Sequence, residues 1–261
     1  MAHTEMMNIA LNRVEGDLEV RVGIEDGVVT DAWSSGIMYR GFERILIGRA
    51  ALDALVITPR ICGICSTAQL AAACQALEMI AQVEPAPSAV LLRNVLLMTE
   101  QLQSDMRHTF LMFCPDFANP IYSNHPLFQE AVNRYEPLRG KAALETIQET
   151  RKVLEIVALI GGQWPHSSYM VPGGITSVPG KSDLMQCRLL LSRFRKWYEA
   201  RVLGCDLDRW SEVKSASDLD AWLEEKASQR ESELGFYLRF ARSIGLPSLG
   251  RGHSNFVSYG S

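Results

Sequence analysis

At 261 residues, with 47% hydrophobic and 21% charged side chains, the chain is long enough to bury a sizeable core as one or two domains. A formal net charge of -4 offers no basic field for nucleic acid, and six scattered cysteines do not make the dense framework of a small secreted disulfide scaffold. No run reaches the roughly 18 uninterrupted apolar residues of a membrane helix, and the opening Met1-Ala2-His3-Thr4-Glu5 lacks a signal peptide's basic-then-apolar pattern. The expectation is a cytoplasmic chain, soluble by itself, that only a partner could tether to a membrane.

In chain order, residues 6–38 alternate. Leu18, Val20, Val22 and Ile24 fall on one face and Asp17, Glu19, Arg21 and Gly23 on the other, which predicts a strand, a turn at Glu25-Asp26-Gly27 and a second strand over 28–33. Glu15, just before the first strand, reads from composition alone as a solvated turn carboxylate. Glu43, in Tyr39-Arg40-Gly41-Phe42-Glu43, reads as an exposed residue at a helix start.

Residues 49–86 read as helical, interrupted at Thr58-Pro59 and by Arg60-Ile61-Cys62-Gly63-Ile64-Cys65. Two cysteines three apart, with Gly63 between them, put two thiols on one turn from which both can reach a soft metal. A helix over 66–79 would start just after Cys65, so its exposed amides, with the charge of Arg60, should favour the thiolate. The spacing alone leaves three other readings open. A structural zinc site would need a second pair, a thioredoxin-like redox pair would need a preceding βαβ unit, and two buried core cysteines need nothing more.

Beyond the break at Glu84-Pro85-Ala86-Pro87, Ser88 should cap a long helix over 88–113 whose apolar stripe includes Val90, Leu91, Val95, Leu97, Met98 and Leu102. Then follow a proline-rich loop over 116–126, a short helix over 127–134 and a longer one over 141–160. Residues 161–180 hold five glycines, three prolines, Trp164 and His166, a composition more typical of a functional loop than of a plain connection. Long amphipathic and then more charged helices complete the chain over 181–202, 218–226 and 230–244. Cys74, Cys187 and Cys205 read as packing thiols. The fold class predicted is mainly α with a small N-terminal antiparallel β-sheet, a β-hairpin region at 1–40 followed by a helical region at 41–261.

Several blocks together resemble the large subunit of nickel-iron hydrogenases, nearest its uptake or H2-sensing branch. They are Arg13-Val14-Glu15-Gly16, the block 39–43, the cysteine block 60–65, Gly161-Gly162-Gln163-Trp164-Pro165-His166 with Val171-Pro172-Gly173-Gly174, and the closing Gly250-Arg251-Gly252 and 256–260. The resemblance implies a hydrogenase-like fold, incomplete here because the family's second cysteine pair is missing. It also implies heterolytic oxidation of H2 at a nickel-iron centre whose iron carries carbon monoxide and cyanide. By the same resemblance Cys62 and Cys65 are metal ligands, Glu15 relays protons, Glu43 binds a magnesium or similar ion, and Arg60 and Gln69 stand beside the cysteines. His166 would lie toward an iron-sulfur small subunit. Maturation proteins are further implied partners. The family usually has His where this chain has Gln69, so altered tuning is expected. The other reading is a non-catalytic scaffold or H2-sensing subunit, inactive as this fragment.

Overall fold

The computed structural model describes residues 5–11, 14 and 16–249. Glu15, Arg13 and the closing block at 250–260 therefore lie outside the described residues. The first element is a three-stranded antiparallel sheet in the order β1 (Glu5–Leu11), β2 (Leu18–Glu25), β3 (Val28–Gly36). Leu11 pairs with Leu18 and Glu25 with Val28, with one register shift at Gly23/Ile24. Asp26 and Gly27 both have positive φ, +51° and +77°, the conformation that a two-residue turn between twisted strands demands. The sequence predicted β2 and β3. It missed β1 as a separate strand because all seven of its residues are exposed, so no buried face marks it.

The helical part contains α1 (Phe42–Ile45), α2 (Ala54–Ile57), α3 (Ser66–Ala81), α4 (Pro87–Arg107), α5 (Phe128–Tyr135), α6 (Lys141–Val153) and α7 (Glu155–Gly161). A small hairpin, β4 (Met170–Val171) with β5 (Gly174–Ile175), interrupts them. Then come α8 (Lys181–Trp197), α9 (Leu207–Ser211), α10 (Ala216–Glu225), α11 (Ala227–Arg230) and α12 (Glu233–Ser243). Among the described residues no helix is long and apolar enough to cross a membrane.

Two apolar clusters hold these helices together. One joins Leu70 and Cys74 of α3, Leu96 of α4, Ile156 and Val157 of α7, Met170 of β4 and Phe194 of α8. The other is aromatic, with Phe117 stacked on Phe240 at 4.6 Å between centroids and Tyr135 and Phe236 beside them.

Several expectations are corrected. The helix over 88–113 begins with Pro87 in its first turn after Ala86, which suits a residue with fixed φ and no N–H, so Ser88 is not its cap. It is α-helical to Arg107 and continues as a π-type turn over His108–Phe113. The helix over 141–160 divides at Leu154. Of the predicted apolar stripe of α4 only Leu97 packs against the core: Leu91 and Met98 are well exposed, while Arg93, Thr99, Glu100 and Gln103 of the same helix are buried. These polar residues go inside because each is met by a partner: Arg93 and Glu100 by groups far along the chain, Thr99 by the Val95 carbonyl one turn back and Gln103 by the Arg107 guanidinium one turn on.

Candidate metal centre

The cysteine turn lies between a short 3-10 turn, Thr58–Arg60, and the first turn of α3. Cys65 is the residue that caps α3, so its sulfur starts where the helix starts. Gly63 is not in the left-handed region and has open space around it, so the turn does not depend on a missing Cβ there.

Cys62 lies close enough to Cys65 to raise its pKa, so the two thiols neighbour each other on the turn. Gln69, one turn on, brings its Nε2 to 3.9 Å from the Cys65 sulfur. The Thr58 hydroxyl ties the two ends of the motif, bonding the Ala54 carbonyl at 2.8 Å and the Gln69 carbonyl at 3.3 Å.

Three other segments grip this turn. Arg40, in the block before α1, donates to the carbonyls of Arg60 and Ile61, immediately before Cys62, and lies over the Phe42 ring at 4.8 Å. The 161–175 loop reaches over from the other side. His166 Nδ1 donates to the Pro59 carbonyl at 2.9 Å, and its backbone N–H donates to Ser66 Oγ at 3.1 Å. Because a carbonyl can only accept, this contact fixes the proton of the ring on Nδ1. The third grip is Glu100 of α4, 3% exposed. Its carboxylate accepts the N–H groups of Thr67 and Ala68 at 3.0 Å each and the Trp164 indole N–H at 3.3 Å.

The electrostatics correct one expectation. The Cys65 thiol is pushed up to about 12 instead of being favoured as thiolate. Desolvation is the largest cause, the neighbouring Cys62 adds to it, the Gln69 amide opposes it and the Glu100 charge raises it further. The helix N-terminus that should have favoured the thiolate is already occupied by a carboxylate. Arg60 does not offset this, since its guanidinium turns back to the Val56 carbonyl on the exposed side.

The remaining predicted site residues are spread out. Gln69 joins the cysteines, and His166 meets their turn through Pro59 and Ser66. Glu43 is exposed on α1, where the Tyr39 hydroxyl bonds its carboxylate and holds it below the usual carboxylate range. Glu15 lies outside the described residues. Arg40, Glu100 and Trp164 were not singled out as site residues. The sequence signals for them were the position of Arg40 in the block 39–43, that of Trp164 in the block 161–166 and the mid-helix placement of a carboxylate at Glu100.

Two neighbouring thiols suit a soft metal, but they are half a ligand set. Among the described residues no group of three or more His, Cys, Asp or Glu could hold a metal ion. The fit to a nickel-iron centre is therefore partial: the chain offers two sulfurs and a hydrogen-bond donor to one of them.

Residues 40–134 match the family described as nickel-dependent hydrogenase. The periplasmic NiFeSe hydrogenase large subunit of Desulfomicrobium baculatum is 36% identical over 186 residues, 65% of this chain and 36% of that protein. The hydrogenase-2 large chain of Escherichia coli K12 is 28% identical over 174 residues, 62% of this chain and 30% of its own. The uptake hydrogenase large subunit of Rhodobacter capsulatus is 27% identical over 173 residues, 62% of this chain and 29% of its own. Among solved structures, the reduced Ni-Fe-Se hydrogenase from D. vulgaris Hildenborough superposes with a TM-score of 0.62 at 32% identity, covering 76% of this chain and 42% of that one. The chain thus spans about a third of the length of the curated relatives it matches. Shared sequence over the cysteine block and a shared fold agree that the chain is similar to the N-terminal part of nickel-dependent hydrogenase large subunits.

Proposed function

We propose that this chain supplies the N-terminal half-site of a hydrogenase large subunit, with Cys62 and Cys65 as two of the thiolates that hold a nickel-iron centre. The observation that carries the reading is the placement of the two neighbouring thiols on the turn before α3, with the Gln69 amide at 3.9 Å from the second. When complete, such a centre supplies heterolytic oxidation of H2 to protons and electrons.

The chain's own residues do the preparing. Cys65 is held protonated by burial and by Cys62, so metal loading must displace its proton. The Gln69 N–H then donates to the sulfur, which tunes how strongly it binds. Unlike a histidine it cannot titrate near neutrality, so it serves as a fixed donor. Glu15 is the proposed acceptor for the proton that leaves the site. Glu43 is the proposed ligand of a magnesium or similar ion, which would have to displace the Tyr39 hydroxyl from its carboxylate. Arg60 is proposed to contribute its charge beside the turn. His166 is proposed to lie toward an iron-sulfur small subunit. Carbon monoxide and cyanide on the iron, maturation proteins and a cytoplasmic site of action complete the proposal.

A second reading has two features in its favour. With glutamine at 69 and no third ligand among the described residues, a scaffold or H2-sensing role is supported as well. The experiment is to combine the chain with the remainder of the large subunit, together with an iron-sulfur partner, then measure H2-dependent dye reduction and the infrared bands of metal-bound carbon monoxide and cyanide. Activity and bands that both vanish in Cys62→Ser and Cys65→Ser support the catalytic reading. Bands without turnover favour the sensor. Turnover that survives either substitution refutes the ligand assignment. The 261-residue chain alone should show neither.

A further inference from the structure

We propose that Glu100 is the positioning residue of the cysteine pair, fixing through its reach the direction in which the Cys65 sulfur points. This rests on the reading of Cys62 and Cys65 as metal ligands. A buried carboxylate must be met by donors on all sides, because an unpaired charge away from water is costly. At 3% exposure Glu100 meets that need without an ion pair among the described residues. Its three partners come from two separate parts of the chain: the first-turn amides of α3, otherwise orphans of a helix start, and the indole of Trp164 in the 161–175 loop.

The consequence is geometric. Cys65 immediately precedes the turn that Glu100 grips, and His166, two residues beyond Trp164, binds the other end of the cysteine motif at Pro59. One carboxylate therefore locks α3, α4 and the loop into a single arrangement around the two sulfurs. A side chain one methylene shorter falls about 1.5 Å short of those amides. A side chain of equal length without the charge keeps Oε1 for Thr67 and Trp164 but turns an amide N–H toward the Ala68 N–H, losing that one bond and setting two donors side by side.

The test is a cobalt(II) titration of the purified 261-residue chain, following the thiolate-to-cobalt charge-transfer absorption, with thermal unfolding measured on each sample. Glu100→Asp should weaken cysteine-dependent cobalt binding by about tenfold or more and broaden the band, since supporting partners of metal ligands typically carry effects of that size. Glu100→Gln should cost a smaller fold-loss than Glu100→Asp if length and not charge is what positions the sulfur. Val157→Ala, a cavity in the same core carried by α7, lowers the melting temperature without touching the turn and should leave the affinity unchanged. Equal losses in Glu100→Asp and Val157→Ala would reduce Glu100 to ordinary packing, and a larger loss in Glu100→Gln than in Glu100→Asp would make it a matter of charge; either overturns the proposal. Cys65→Ser is the separate check on the underlying reading. A band that persists in it overturns the cysteine assignment and the proposal with it, whereas no band in the unmodified chain, or a band lost in Cys65→Ser but untouched in Glu100→Asp, overturns the positioning role alone.

Discussion

Arg93 donates to the Glu78 carboxylate at 2.8 Å and, from the same guanidinium nitrogen, to the carbonyls of Val171 and Gly174 at 2.7 and 2.6 Å. One buried cation thereby joins α4, α3 and the β4–β5 hairpin. Glu78 completes the joint by accepting the Gly173 N–H at 2.9 Å. Gly173 sits at φ +84°, where a Cβ would also press on Val83 at 3.0 Å, so the hairpin needs glycine there. The pair does not have to outperform an apolar core to matter. Its importance is that either partner left alone is a buried, uncompensated charge.

Arg93→Met should accordingly destabilise the chain by about 3–5 kcal/mol, and the double variant Arg93→Met with Glu78→Leu should recover a large part of that loss. Urea unfolding measures both. An unchanged midpoint in Arg93→Met would mean that the pair holds nothing together.

The same pair makes stability depend on pH in a stated direction. Glu78 is held below its ordinary value of 4.5, chiefly by the Arg93 hydrogen bond. A carboxylate depressed in the folded state adds stability that is present above its unfolded value and lost as pH falls through the folded one. Glu78→Gln should thus differ most from the unmodified chain near neutrality, with the gap closing below about pH 4.5. Unfolding free energies measured from pH 7 to pH 3 decide it, and a gap that stays constant across that range contradicts the assignment.

Cys65 gives a prediction at the other end of the scale. With its thiol pushed up to about 12, burial is the largest cause and Cys62 the next. Cys62→Ala should therefore quicken Cys65 alkylation at pH 8, and Gln69→Ala, which removes the donor that opposes the shift, should slow it. Peptide-resolved mass spectrometry after timed iodoacetamide treatment gives both rates. Opposite changes would mean that the two side chains do not act on that sulfur as described.

How much of this was legible in the sequence depends on how local the determinants are. The β2–β3 hairpin was readable because alternation and Asp26-Gly27 are neighbours in sequence, and α3 was readable from an unbroken run of good helix formers after Cys65. The buried face of α4 was not. Hydropathy selects Leu91 and Met98, yet Arg93 and Glu100 go inside because their partners wait at Val171, Gly174, Thr67 and Trp164, between 33 and 81 positions away. The cysteine pair was legible as chemistry, but its protonation was not. The sequence shows a helix N-terminus after Cys65 and cannot show that a carboxylate from another helix already fills it.

His166 offers the last prediction, because it combines a backbone requirement with a side-chain one. Its φ is +65°, a region that His, Asn and Gly tolerate better than Ala, and its ring Nδ1 donates to the Pro59 carbonyl at 2.9 Å. Glycine at this position loses the ring bond, about 1 kcal/mol, but keeps the backbone at ease. Alanine loses the same bond and adds roughly 1 kcal/mol or more of left-handed strain. His166→Ala should therefore be the less stable variant in urea unfolding, although alanine usually stabilises a chain relative to glycine, with His166→Asn nearest the unmodified protein. Both His166→Gly and His166→Ala should also raise the alkylation rate of Cys62, since the Pro59 carbonyl they release is three residues before that thiol. If His166→Ala proves more stable than His166→Gly and Cys62 reacts at an unchanged rate in both, the loop does not restrain the cysteine turn, and the grip assigned to His166 falls.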